Sequence, residues 1–202
     1  MKCVNCNNDL RMESTCMHCE NESAARLSLS PRIKHDLRTI HFPEKAVMTD
    51  LQLLLGPVTE RKGLYLTGIV GSGKTMYAAQ LLMTSFTFKA AYKPRLFISV
   101  PELLQRLRES FDSKTKMTSE VIDAYSKAEL LVMDDLGVEK TTDWVFQTLY
   151  LVINRRYENF LPTIFTSNLT LNELAVQLGD EKIPSRINIM CDVRIFDEKS
   201  FR

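Results

Sequence analysis

From residue 43 onward, short runs of apolar and β-branched residues alternate with longer stretches whose apolar positions recur every three or four residues. The short runs predict strands at 64–67, 96–100, 130–134, 163–167 and 193–196. The longer stretches predict helices at about 44–55, 74–86, 101–111, 118–127, 141–159 and 170–178. Within 141–159, Val145, Leu149, Val152, Ile153 and Tyr157 fall on one helical face. Thr170 and Glu173 have the spacing of a capping box, in which hydroxyl and carboxylate satisfy the first N–H groups of a helix. Strands that alternate with helices pair in parallel, with right-handed crossovers. The expectation is an α/β fold: a five-stranded parallel sheet flanked by helices. Ligands of such sheets sit beyond the carboxyl ends of the strands.

Upstream the pattern stops. Residues 20–41 are polar, broken by Pro31 and without a sustained period, which predicts a linker containing at most a short helix. The resulting division is a small module at 1–22, a linker at 23–42 and the main domain at 43–202.

Composition narrows the classes. With 202 residues, 45% hydrophobic and 25% charged, the chain has the make-up of a globular protein, which excludes disordered and fibrous classes. No apolar run approaches the roughly 18 residues of a membrane span, and MKCVNCNNDL lacks the apolar core of a signal peptide, so a cytoplasmic protein is expected. A net charge of +1 argues against one subunit coating nucleic acid by bulk electrostatics.

Two residue types are unevenly spread. Four of the five cysteines, Cys3, Cys6, Cys16 and Cys19, form two C-x2-C knuckles nine residues apart. Two knuckles supply the four thiolates of a closed tetrahedral zinc site. A segment of about 20 residues buries too little to fold alone, so bound Zn²⁺ is what would hold it. Two disulfides, which need an oxidising compartment, and an iron–sulfur cluster, which also takes four thiolates, are the alternatives. His18 lies inside the second knuckle and Cys191 stands alone, reading as a small buried residue.

Three of the seven glycines lie between positions 68 and 73. Gly68-Ile-Val-Gly71-Ser72-Gly73-Lys74-Thr75 matches G-x4-G-K-[ST] between a predicted strand and a predicted helix. Glycines let backbone N–H groups turn inward around phosphate oxygens, and the helix N-terminus adds a favourable dipole. Lys74 is placed for the β- and γ-phosphates of ATP and the Thr75 hydroxyl for Mg²⁺. Met76 stands where a dinucleotide loop needs its third small residue, which excludes that class. The predicted strand at 130–134 ends in Asp134 and Asp135. Asp134 is then the Walker B carboxylate for Mg²⁺, and Asp135 the group that orients or deprotonates the attacking water. The bland alternative is that the pair caps the turn at Gly137. Asn168 closes the predicted strand at 163–167, where an amide can hold that water, although Asn is common in strand-end turns for local reasons.

Gly68–Thr75, LLVMDDLG at 130–137, TSNLT at 166–170, INRRYEN at 153–159 and SRI…KSFR together resemble the DnaC/IstB-like AAA+ ATPases over residues 40–202. The resemblance implies an ATPase that works as a homo-oligomer. It makes Asn168 the sensor-1 residue, Arg186 an arginine finger reaching a neighbouring subunit's γ-phosphate, and Arg202 a sensor-2-like arginine. It also implies that Arg106, Arg108, Lys114 and Lys116, in 102–127, lie where family members thread single-stranded DNA. A solvated helix face is the competing reading of those four cations. Three functions follow. The first is a helicase loader whose zinc module docks on a replicative DNA helicase while the ATPase domains grip single-stranded DNA. The second is an IstB-like helper acting with a transposase on duplex DNA. The third, a small-molecule kinase, is disfavoured by the Asp-Asp strand end and Asn168, which suit attack by water. The compact length fits a phage- or mobile-element-borne version.

Overall fold

A computed structural model describes residues 17–38, 42–57, 60–89, 93–112 and 117–197. The element order is α1 (Met17–Ser28), α2 (Pro31–Asp36), α3 (Glu44–Leu55), β1 (Gly63–Gly68), α4 (Lys74–Phe88), β2 (Arg95–Ser99), α5 (Val100–Asp112), α6 (Met117–Lys127), β3 (Leu130–Asp134), α7 (Asp143–Glu158), β4 (Thr163–Ser167), α8 (Leu171–Leu178), α9 (Lys182–Met190) and β5 (Cys191–Phe196). All strand pairs are parallel, in the order β2-β3-β4-β1-β5. The expected sheet is therefore present. Among the described residues, no helix is long and apolar enough to cross a membrane.

Burial on both faces explains why the strands read as continuous apolar runs. Successive residues of β3 point to opposite faces: Leu130 and Val132 join one core with Leu51, Leu54, Leu81 and Leu82, whereas Leu131 and Met133 join a second with Leu149 and Ile153. The capping box predicted at Thr170 is made, with Thr170 and Glu173 bonding reciprocally. Among the described residues, two arginines are wholly buried. Arg156 donates to the carbonyls of Tyr125, Ala128 and Pro162 and to Thr163 Oγ1, tying α7 to the starts of β3 and β4. Arg95 donates to Ser85 O and Lys89 O and pairs with Glu129 at 3.1 Å.

The linker expected at 23–42 needs correcting. α1 crosses the boundary at residue 22, and Ala25 and Leu29 are 0% and 3% exposed, packed in the same core as Leu51 and Phe97. Ile33 and Leu37 pack beside them. These four residues recur at intervals of four, but the helical register is interrupted at Ser30–Pro31, so no sustained period shows in the sequence. The break is itself a helix start: Ser30 caps α2, accepting from the Ile33 N–H, and Pro31 occupies its first turn. α9 has no counterpart among the predicted helices, because only Ile183, Pro184 and Ile187 of its nine residues are buried. Leu29→Ala should cost about 2–4 kcal/mol in chemical denaturation, while Leu27→Ala, on a residue 79% exposed, should cost little. Equal, small effects would return the segment to a linker.

Candidate functional site

The loop after β1 has the conformation its glycines allow. Gly68, Gly71 and Gly73 have φ of 137°, 80° and 97°, in the region that side chains avoid. At Gly68 the reason is also spatial, because a Cβ there would run into the Phe196 carbonyl of β5. That carbonyl accepts the Ile69 N–H at 3.1 Å, so β5 braces the loop from outside. Lys74 opens α4 and is 7% exposed. Its Nζ donates to Gly68 O at 2.9 Å and Ile69 O at 2.8 Å, with Ser72 Oγ at 3.4 Å. Burial lowers the ammonium's pKa, opposed by the negative charges of Asp135 and Asp134.

Asp134 is buried at the end of β3. Its Oδ1 accepts from Thr75 Oγ1 at 2.9 Å and from Thr166 Oγ1 at 2.6 Å. Burial pushes its carboxyl up to about 6, with Asp135 adding to the rise and the two hydroxyls and Lys74 opposing it. Thr75 and Asp134, together with exposed Asp135 beside them, form an all-oxygen donor set of the kind Mg²⁺ takes. Asp135 has φ 58° and donates its N–H to Thr166 Oγ1 at 2.9 Å.

Asn168 is exposed just beyond β4, and β4 lies between the Asp134 strand and the loop strand. Its turn is pinned on both sides. Ser167 Oγ donates to Leu136 O at 2.6 Å and accepts the Leu169 N–H, while Tyr65 and Thr67 of β1 both donate to Leu169 O, at 2.7 and 2.8 Å. Beside the loop an open cleft of about 640 Å³ is lined by Phe42, Pro43, Asp50, Tyr77, Arg194 and Phe196. Tyr77 stands edge-on to Phe42 and donates to Asp50 at 2.7 Å, and Arg194 pairs with Asp50 at 3.0 Å. Neither the cleft nor Thr166 was assigned from sequence. A cavity of about 580 Å³ lined by Arg156, Phe160, Pro162 and Ile189 opens at the opposite, amino end of the strands, and carries none of the sequence-predicted site residues.

The structure thus brings together Gly68, Gly71, Ser72, Gly73, Lys74, Thr75, Asp134, Asp135 and Asn168 at the carboxyl end of the sheet. Arg186 is engaged elsewhere. From α9 its guanidinium donates to Asn154 Oδ1 at 2.6 Å, Tyr150 Oη at 2.7 Å and Lys182 O at 3.1 Å, and lies 4.6 Å from the centre of the Tyr150 ring. Of the cations proposed for DNA, Arg106 is held by Glu102 at 2.6 Å and by Tyr125, and Arg108 lies over the Trp144 ring at 4.9 Å. Lys114, Lys116 and Arg202 lie outside the described residues, as do Cys3, Cys6 and Cys16. Cys19 lies in the first turn of α1, half-buried. Among the described residues no cluster of three or more His, Cys, Asp or Glu side chains is placed to hold a metal. Cys191 is buried as expected, its thiol pushed up by desolvation.

The sequence profile of the IstB-like ATP binding protein family matches residues 34–198. The chain belongs to that family. Among relatives, the replicative helicase loader DnaI of Bacillus subtilis (strain 168) is 30% identical over 128 residues, which cover 63% of this chain and 40% of DnaI. A protein of insertion sequence IS5376 from Geobacillus stearothermophilus is likewise 30% identical over 128 residues, covering 63% of this chain and 49% of that protein. The chain therefore spans about half the length of these relatives or less. A crystal structure of the DnaC helicase loader matches with a TM-score of 0.70 at 27% identity, covering 83% of this chain and 100% of that one. The AAA+ fold and the DnaC/IstB-like membership expected from sequence are both shown.

The raised Asp134 pKa sets a testable sign. The folded carboxyl keeps its proton to higher pH than the unfolded one, so its contribution favours folding at acid pH and is lost as pH rises through about 6. In nucleotide- and Mg²⁺-free protein, Asp134→Asn should raise stability at pH 7.5 by about 2 kcal/mol and change it little at about pH 3.5, below the unfolded carboxyl's pKa. Thermal melts of the two proteins at both pH values check this, and destabilisation at pH 7.5 would count against it.

Proposed function

We propose that this IstB-family chain is the ATPase of a replicative helicase loader. The observation that carries the ATPase part is the joining of loop, Walker B strand and β4 through Thr75, Asp134, Thr166 and Asp135. The similarity to DnaI and DnaC supports the loader part.

In this reading the base of ATP enters the cleft beside Phe42 and Tyr77, and its phosphates take over the Lys74 ammonium from the Gly68 and Ile69 carbonyls. Thr75 and Asp134 would hold Mg²⁺, which would supply positive charge against the developing charge of the phosphates. Asp135 orients the attacking water and accepts its proton, and Asn168 holds that water from β4. Arg186 stabilises transition-state charge on a neighbouring subunit's nucleotide. To do so it gives up Asn154 and Tyr150, and an isolated subunit is slow because no neighbour supplies this arginine to its nucleotide. The loader works as a homo-oligomer on the replicative helicase, gripping single-stranded DNA with a few cations per subunit, Arg108 beside Trp144 among them. Cys3, Cys6, Cys16 and Cys19 hold Zn²⁺ in a module that docks on the helicase.

The dilute chain should hydrolyse ATP slowly and accelerate on assembly, and Arg186→Ala should remove about 10³-fold or more of the assembled rate. Lys74→Ala should abolish ATP binding, measured by titration. The full-length chain should co-elute with replicative helicase in gel filtration. Turnover stimulated by duplex DNA, without helicase binding, would favour the transposition reading, which the insertion-sequence relative supports. The purified chain should carry one zinc per molecule by elemental analysis, and the Cys3→Ser, Cys6→Ser double variant should lose it. Equal zinc in both would remove the metal from this account.

A further inference from the structure

Thr166, the next-to-last residue of β4, is 1% exposed and has one hydroxyl with two partners. Oγ1 accepts the Asp135 N–H at 2.9 Å and lies 2.6 Å from Asp134 Oδ1. The direction of both bonds is forced. A backbone N–H can only donate, and an ionised carboxylate can only accept, so the single hydroxyl proton goes to Asp134. Thr166 therefore reads both carboxylate residues at once, one through its side chain and the other through its backbone.

The second partner matters because of the Asp135 backbone. At φ 58° this residue is in the left-handed region, which Asp enters more readily than most residues with a Cβ but which still favours a partner that holds it. Asp135 is exposed, and the Thr166 hydroxyl is what meets its N–H. The strand ends themselves do not depend on that hydroxyl. Leu136 N–H donates to Thr166 O at 2.8 Å, and Ser167 Oγ donates to Leu136 O. Removing only Oγ1 thus leaves β3 and β4 joined.

We propose that Thr166 is a positioning residue of the hydrolytic site, its hydroxyl fixing the Asp135 backbone in its left-handed conformation while orienting the Asp134 carboxylate toward Thr75. This rests on the ATPase reading above. Thr166 touches no reacting atom in it. Its effect runs through the water-orienting carboxylate of Asp135, which a peptide rotation of tens of degrees would carry away from the γ-phosphate.

The test uses the full-length chain with Thr166→Val, which keeps shape and removes the hydroxyl, and Thr166→Ser, which keeps the hydroxyl. In nucleotide-free protein, the Asp135 amide should exchange hydrogen about tenfold faster in the valine variant and as in wild type in the serine variant. In steady-state turnover the valine variant should lose about 10–100-fold in kcat with KM for ATP within about threefold, and serine should restore kcat to within about threefold. Unchanged Asp135 exchange or unchanged kcat in the valine variant overturns the proposal, as does a serine variant that behaves like valine. Should the valine variant not fold, Thr166→Ala is read by the same criteria. If the wild-type chain hydrolyses no ATP, the functional reading falls, while the exchange rates still decide what the hydroxyl holds.

Discussion

Oδ1 of Asp134 accepts hydrogen bonds from the hydroxyls of Thr75, 59 residues before it, and of Thr166, 32 residues after it. A carboxylate buried at a strand end is costly unless something answers its charge. Here two hydroxyls answer in part, and burial still leaves the carboxyl holding its proton up to about pH 6. The negative charge at this strand end is therefore only partly answered by the groups around it. The strand order makes this possible, since β4 lies between β3 and β1 and so brings Thr166 to one side of Asp134 and the turn of Asn168 alongside the phosphate loop.

The loop shows the complementary state. The Lys74 ammonium donates to the carbonyls of Gly68 and Ile69, and β5 braces the outside of the loop through the Phe196 carbonyl. The Lys74 ammonium and the Asp134 carboxyl are thus each met by neutral dipoles rather than by each other. Arg186 follows the same pattern on α9. It is satisfied by Asn154, Tyr150 and a backbone carbonyl, so a role on another subunit carries the cost of leaving them.

Local sequence was a good guide wherever the controlling interaction is local. The strands at 130–134 and 163–167 were legible as apolar runs with defined ends, and the capping box at Thr170 was legible from two residues three apart. The linker reading of 23–42 went wrong for a physical reason. Ala25 and Leu29 are buried by α4 and β2, which lie far along the chain, while the Ser30–Pro31 break hides their spacing from a search for periodicity. α9 has no clear local pattern because it needs only a few apolar anchors against α7 and α8.

The sequence by itself determined the chemistry that one short stretch can encode: the glycines that turn the phosphate loop, the lysine and threonine that follow them, and the carboxylate pair at a strand end. Those groups act through the backbone they sit on, so their order along the chain is enough. Only the tertiary structure decided that Thr166 binds both aspartates, that β5 braces the loop, that Arg186 rests on Tyr150, and that α1 belongs to the core. Each of these depends on a contact between segments tens of residues apart, and such contacts leave no period or spacing to read.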